Sequence, residues 1–491
     1  MNTEEIVSDE LALNFHLMHP TGNTDAGDPN AAFCLDGIYH MHYIIIHPFK
    51  GGDVHINGRE HSLSFIHVTS PDMLHWTWET TKLQPSFSGH GIASGTGFIT
   101  KEGRPAAIYV GLSDPRHSYI TIAKDNQLSA WEKPYPVISN GGPDGGSLRG
   151  DPDCFVVGDT YYATSVGQLY KSVDLTNWSH VGPMLKYDLP DVAMGEDTAC
   201  GNMFQIGDRW MYLCISHSMG CRYYLGDWDT ETEQFVPSSH GRMNWRRPGQ
   251  SLLDPRYRDF FAPESLLTAD GRRVMWAWVA TADPEINGKK VQSLPREIGL
   301  VDEEVRINPL RELDTLRYDP STLESIKLAA PEGATGKRYA IARLTDLDGD
   351  AYELRISVDR KDAERRRFGF LLFAGDESEG LPLLFRPEAG TICLGESEAP
   401  FAVADLPDEE NIDLRIYIDK YLVEVFVNGR QALLSTHMNY TDGTTLKAYL
   451  YGIAARVQPM TIRNIEIWRL KPTNQGFFEA RDNRVWAPEE R

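Results

Sequence analysis

The chain has little positive charge for its size: 48 Lys and Arg stand against 70 Asp and Glu, a net charge of −22 over 491 residues. That balance argues against nucleic acid or an anionic membrane as a partner, and it says little about a neutral ligand such as a sugar. Cysteine is scarce too. The six (Cys34, Cys154, Cys200, Cys214, Cys221 and Cys393) show no CxxC or zinc-type spacing, so free internal thiols are expected, with no metal ligand among them. The opening "MNTEEIVSDELALNF" has no basic stretch followed by an apolar one, and no later run reaches the length of a membrane-spanning helix. The expectation is a cytoplasmic protein, and its length points to more than one domain. Long amphipathic helical patterns are also scarce.

What the chain does have is strands. Short runs rich in Tyr, Val, Ile, Phe and Trp, such as "IYHMHYIII", "RPAAIYVGL", "DTYYATSV", "RWMYLCISHS" and "RRVMWAWVA", are each bordered by a turn of the type "LDG", "VGD" or "ADG". A weak repeat lies beneath them. "PDMLHW" ends at Trp76, "QLSAW" at Trp131 and "DLTNW" at Trp178, a period of roughly 50 residues that suits a propeller blade. Units of this size cannot bury their own sheets and stack around an axis to share a core. The expected fold is all-β, with a five-bladed β-propeller over residues 1–305. The segment Leu294 to Pro320 mixes charge with leucines and ends in proline, and 306–325 is read as a linker. Clean alternation then resumes: Leu414, Ile416 and Ile418 face one way and Arg415, Tyr417 and Asp419 the other, and Asn428-Gly429 suits a type I′ turn. A β-sandwich with a C-terminal tail is expected over 326–491.

In a propeller the starts of the innermost strands surround a central funnel, so carboxylates just ahead of a blade's first strand are the interesting ones. Asp28 in "GDPNAAF", Asp151 in "RGDPDCF" and Glu196 in "MGEDTACGNMF" share that context. Asp-Pro beside Gly is also an ordinary turn, and with seventy acidic residues the spacing alone leaves both readings open.

The ordered motifs resemble glycoside hydrolase family 32, the β-fructofuranosidases. "GDPNA" resembles the family's Asn-Asp-Pro-Asn-Gly motif, "ASGTGFI" its Ser-Gly segment, and "GDPDCF" its Arg-Asp-Pro motif. "DFFAPESLLTADGRRVMWAWV" is similar to the fifth blade, and "LPREIGL", "NPLRELDTLR" and "LVEVFVNG" to the connection and the appended sandwich. The departures are specific. Gly27 and Ala31 replace the motif's Asn and Gly, and Gly150 separates Arg149 from Asp151. Ala199 stands before Cys200, where the family carries its acid.

The resemblance implies retaining cleavage of β-fructofuranosidic bonds in sucrose or fructans, through two carboxyl groups across the anomeric carbon. It makes Asp28 the nucleophile and Asp151 the transition-state stabiliser. Glu196 is the expected acid/base, with Glu264 in "FFAPES" as its rival, since the family carries Gln or Lys there. Asn30, Ser94, Arg149, Asp259, Trp76 and Phe87 are expected substrate contacts, although a propeller core consumes most aromatic residues. Arg222 could hold a carboxylate near the site or bridge blades. His16, His19 and His217 are read as structural hydrogen-bonding groups rather than general bases. No cofactor and no metal are expected; the partner is a neutral oligosaccharide or polysaccharide, and the oligomeric state stays open. A fructosyltransferase and a non-catalytic sugar-binding propeller are the alternatives.

Overall fold

In the computed structural model the described residues are 7–21, 27–217, 219–246, 260–280, 290–329, 339–375, 379–452 and 458–490. They are mostly strand, in seven sheets. The first five sheets have four or five strands each and follow one another in sequence between residues 29 and 309, except that the short strand Trp245–Arg246 pairs instead with Ser397–Pro400 in the second part of the chain. Their inner strands are Pro29–Leu35, Gly91–Ile99, Asp153–Val157, Ala199–Ile206 and Phe261–Leu267. Each packs against the next, and the fifth packs against the first, so the circuit closes.

The tryptophan repeat has a local cause. Asp72 Oδ1 accepts from the backbone N–H of Leu74 and His75, and Asp174 Oδ1 accepts from Thr176 and Asn177 in the same way. These Asx turns carry left-handed residues, Met73 and Leu175, and reverse the chain so that the following tryptophan points inward. Trp76, Trp131 and Trp178 are all buried, and the last donates its indole N–H to Leu175 O.

Strand Glu304–Pro309 completes the fifth sheet, the short helix Arg311–Leu316 follows, and Arg317–Leu323 joins the seventh. The two last sheets have seven strands each and share one core, with Phe370 and Leu383 from one meeting Leu354 and Ile416 from the other. The Leu422–Val427 and Gln431–Thr436 hairpin turns at Asn428 and Gly429, both at positive φ, closed by Arg430 N donating to Val427 O. The alternation in 412–419 is real, but the far half of its polar-looking face is buried as well: Asp413 is exposed and Arg415 partly so, whereas Tyr417 and Asp419 are fully enclosed against the first part of the chain.

That contact centres on ions. Asp419 accepts from the backbone N–H of Asn14, Phe15 and His16 and from the His16 ring at 2.8 Å. Glu424 accepts from Leu294 N and Arg296 Nη2, and lies 3.5 Å from the other His16 nitrogen. All four side chains are closed to solvent. The C-terminal helix Gln475–Asn483 also folds back on the first sheet: Phe477 stacks edge-on with Trp78, and Trp486 with His19.

Burial alone would lower the pKa of His16, but hydrogen bonding and charge from Asp419 and Glu424 override it and raise the value from 6.5 to about 9. A raised folded value means the contribution is complete below 6.5 and is lost as pH rises through about 9. Melting temperature should therefore fall across that interval. His16→Gln should melt lower at neutral pH, with a flatter profile.

Candidate functional site

The site is built by a repeated slip in register. On the first inner strand Asn30 pairs with His42 but Phe33 with His40, so three steps oppose two. The fourth does the same between Ala199 and Asn202, and the fifth between Phe261 and Glu264. Ala31, Cys200 and Ala262 take the positive φ that each bulge requires. The second inner strand slips between Ala93 and Gly95, where a Cβ on Gly95 would lie 2.0 Å from Ile108 O. Bulges re-aim side chains, and here they turn the heads of the inner strands toward one another.

At that end Asp28 is half-buried, and Ser94 Oγ donates to its Oδ2 at 3.0 Å. Burial, and then the nearby charges of Asp151 and Asp28, push the Cys200 thiol well above its usual range. Asp28, Ser94, Asp151 and Cys200 are thus gathered from four sheets or the turns leading into them. Asn30 is buried, with its amide donating to Asp28 O and accepting from Gly95 N at 2.7 Å, so it clamps the first strand to the second. Gly27 has a local reason: a Cβ there would sit 2.4 Å from Lys290 Cδ and 3.0 Å from the Trp278 indole nitrogen.

A second layer lies deeper. Glu264 is buried; its Oε1 accepts from Ala32 N at 3.1 Å and its Oε2 from Asn202 Nδ2 at 3.2 Å. Desolvation raises its pKa from 4.5 to about 8, despite these hydrogen bonds. Asp153 accepts from Thr96 Oγ1 and Met203 N and is raised to about 6, again by burial. The Arg273 guanidinium lies over the Phe204 ring at 4.1 Å; burial lowers its pKa to about 10, against the pull of Glu264 and Asp153. Asp153, Asn202 and Arg273 line a cavity of about 360 Å³ between the inner strands.

Glu196 sits apart from both layers. Arg242 Nη2 is 2.6 Å from its Oε1, and Arg222, fully enclosed, bonds its Oε2. Arg222 also meets the His240 ring at 2.9 Å, and His240 meets Asp191 at 2.8 Å. Burial works to raise the pKa of Glu196, but Arg242 and Arg222 hold it below the ordinary carboxylate range. Arg149 is exposed on the segment leading to Asp151, and Phe87 is half-buried in the helix Pro85–Ser88 ahead of the second inner strand. Trp76 is buried against Trp276, their ring centroids 6.2 Å apart. Asp259 lies outside the described residues.

Residue-by-residue reading missed Asp153 and Asn202. The first had a signal: two residues after Asp151, it is the next side chain on the same face of the strand. Asn202 had none, because its partner is Glu264.

Carboxylates at the heads of neighbouring inner strands, one of them accepting from a serine hydroxyl, are the kind of group that glycoside cleavage uses. The family model for the glycosyl hydrolases family 32 N-terminal domain matches residues 16–309, and that for the family 32 C-terminal domain matches 312–469. The chain belongs to glycosyl hydrolase family 32. It is 27% identical to a raffinose invertase of Escherichia coli, over 89% of this chain and 91% of that one. It is 25% identical to a sucrose-6-phosphate hydrolase of Vibrio alginolyticus, over 95% and 92%. Among solved structures, fructan 1-exohydrolase IIa from Cichorium intybus superposes with a TM-score of 0.72 at 19% identity, covering 95% of this chain and 98% of that one.

Two outcomes follow from the opposite electrostatics of the two glutamates. Glu196→Ala removes the carboxylate that neutralises the buried Arg222 and is expected to lose about 3–5 kcal/mol in urea unfolding. For Glu264 the folded pKa of about 8 exceeds 4.5, so its contribution drains away as pH rises between those values. Glu264→Gln should match the wild type in stability at pH 4.5 and exceed it above pH 8 by at least about 1.4 kcal/mol, the equivalent of one pKa unit.

Proposed function

We propose that this chain hydrolyses β-fructofuranosidic bonds in sucrose or fructans with retention, Asp28 acting as nucleophile and Asp151 as transition-state stabiliser. The observation that carries this reading is the gathering of Asp28 and Asp151 around Cys200 at the heads of the inner strands, in a chain of this family. The printed activities of relatives, raffinose invertase and sucrose-6-phosphate hydrolase, support the substrate class. Ser94, on Asp28, is the best supported of the substrate contacts. Asn30, with both ends of its amide engaged, and Trp76, in the core, have structural roles in this reading.

The same proposal treats the five N-terminal sheets as blades of a five-bladed propeller and the two seven-stranded sheets as a sandwich. Domain limits follow the sheets, with Arg311–Leu316 as the connector. None of the six cysteines is in a disulfide, which supports a reducing, cytoplasmic setting.

Neither expected proton donor combines protonation with access. Glu196 is ionised between two arginines, and Glu264 is neutral near pH 7 but enclosed. With Ala199 where the family carries its acid, that leaves a non-catalytic sugar-binding protein as the second reading. Fructose release from sucrose, inulin and levan separates the two. Turnover that Asp28→Ala reduces by about 10⁴-fold or more is expected. No release from any of the three, with Asp28→Ala equally inert, overturns the hydrolase.

A further inference from the structure

The missing carboxyl at position 199 leaves open which group protonates the leaving oxygen, and the fourth sheet offers one. We propose that His217, oriented by Asp197, is the proton donor and acceptor of this site. The inference rests on the fructosidase reading above and names the group that completes it.

The first support is register. Asp28 lies two residues ahead of Asn30, where the first inner strand slips, and three ahead of the left-handed Ala31. Asp197 lies two residues ahead of Ala199, where the fourth slips, and three ahead of the left-handed Cys200. The same bulge therefore presents an aspartate at the same level from two sheets. Ala199 pairs with Ile215, which brings His217 beside Asp197 at that end.

The second support is the pair itself. The His217 backbone N–H donates to Asp197 Oδ1 at 2.8 Å, and the ring Nδ1 bonds Asp197 Oδ2. Burial alone would raise the pKa of Asp197; the bonds and charge of His217 hold it low, so it stays an anion. With Nδ1–H committed to a carboxylate, Nε2 is the nitrogen that exchanges a proton with a ligand.

The third support is place. The Cys200 thiol, three residues along, lies within reach of the charges of both Asp151 and Asp28. The His217 ring meets Phe261 edge-on at 5.9 Å, and Phe261 meets Trp278 at 6.5 Å. The Trp278 indole in turn closes over Gly27, the residue before Asp28. The His217 side chain is 52% exposed, whereas that of Glu196 is 4%. Among the described residues, the charged groups nearest this part of the fourth sheet are Asp197 itself, Glu196 with Arg222 and Arg242, and Asp28 and Asp151 around Cys200, with Lys290 over Trp278.

The step balances without a co-reactant other than water. Asp28 attacks the anomeric carbon, the bond to the leaving oxygen breaks, and Nε2–H of the imidazolium gives that oxygen its proton. Water then attacks the fructosyl ester, the neutral imidazole takes the proton, and the Asp28 carboxylate is released.

The test uses the full chain with two substrates: sucrose, whose leaving group needs a proton, and β-fructosyl fluoride, whose leaving group does not. His217→Gln is expected to lower kcat/KM on sucrose by about 10²–10⁴-fold and to remove the alkaline limb of its pH profile. The kcat/KM for fluoride release, which the first step sets, should stay within about tenfold of wild type, and azide, a nucleophile that needs no base, should restore the turnover lost in the second step. Asp197→Asn, which keeps the shape of the pair, should move the alkaline limb to lower pH, because the anion that favours the imidazolium is gone. Unchanged sucrose kinetics and an unchanged pH profile in His217→Gln overturn the assignment. Wild-type protein that splits the fluoride but not sucrose, inulin or levan also overturns it, and leaves Asp28 as nucleophile standing. Wild-type protein inert on all four overturns the fructosidase reading, and the assignment with it.

Discussion

The mouth of this molecule depends on one backbone event repeated around the ring. Three inner strands insert an extra residue near their heads, and each holds a non-glycine residue, Ala31, Cys200 or Ala262, at positive φ. Such residues cost on the order of 1–3 kcal/mol each and persist only where their surroundings enforce them. Here the enforcement is visible. Asn30 ties the first bulge to the second strand, and Asn202 and Glu264 tie the fourth to the fifth. Without the slips, side-chain alternation would carry through each strand, and Asp28, Cys200 and Glu264 would point elsewhere.

Glu196 and Glu264 are the same chemical group with opposite fates. Both are withdrawn from water, which favours the neutral acid. Glu264 accepts from a backbone N–H and an amide there, with no guanidinium bonded to it among the described residues, and desolvation wins. Glu196 meets two guanidiniums, and their charge wins. Asp191, His240 and Arg222 continue the Glu196 chain outward along the fourth sheet, so that network belongs to the architecture of the sheet. Catalysis needs a proton carrier that is neither held ionised between two guanidiniums nor sealed in the interior.

The second half of the chain is part of the same structure energetically. Asp419 and Glu424 satisfy the backbone of residues 14–16 and 294 and hold His16 and Arg296, all beyond solvent. Removing one member of such a buried set strands the others, so the set acts as a registry device between the two parts. The segment it grips, residues 14–16, precedes the first inner strand in sequence. The C-terminal helix and Trp486 close over the same sheet from the other side.

Much of this was written locally. The strand runs, the Asx turns closing on Trp76 and Trp178, and the Asn428-Gly429 hairpin are short-range effects, because turn chemistry and alternation act over a few residues. Asp28 was legible from Gly-Asp-Pro-Asn at the head of a hairpin, and Asp151 from a similar run. The burial of Tyr417 and Asp419 on the polar face of 412–419 was not, since the first part of the chain covers them. Nor was the state of any carboxyl. Glu196 is ionised by arginines 26 and 46 positions away, Glu264 is bonded by Ala32 232 positions away, and Asp197 is paired with His217 across a strand hairpin. The order of residues decided which acids stand at the heads of strands. Folding decided which keep their protons, because solvation and charge are properties of neighbours in space.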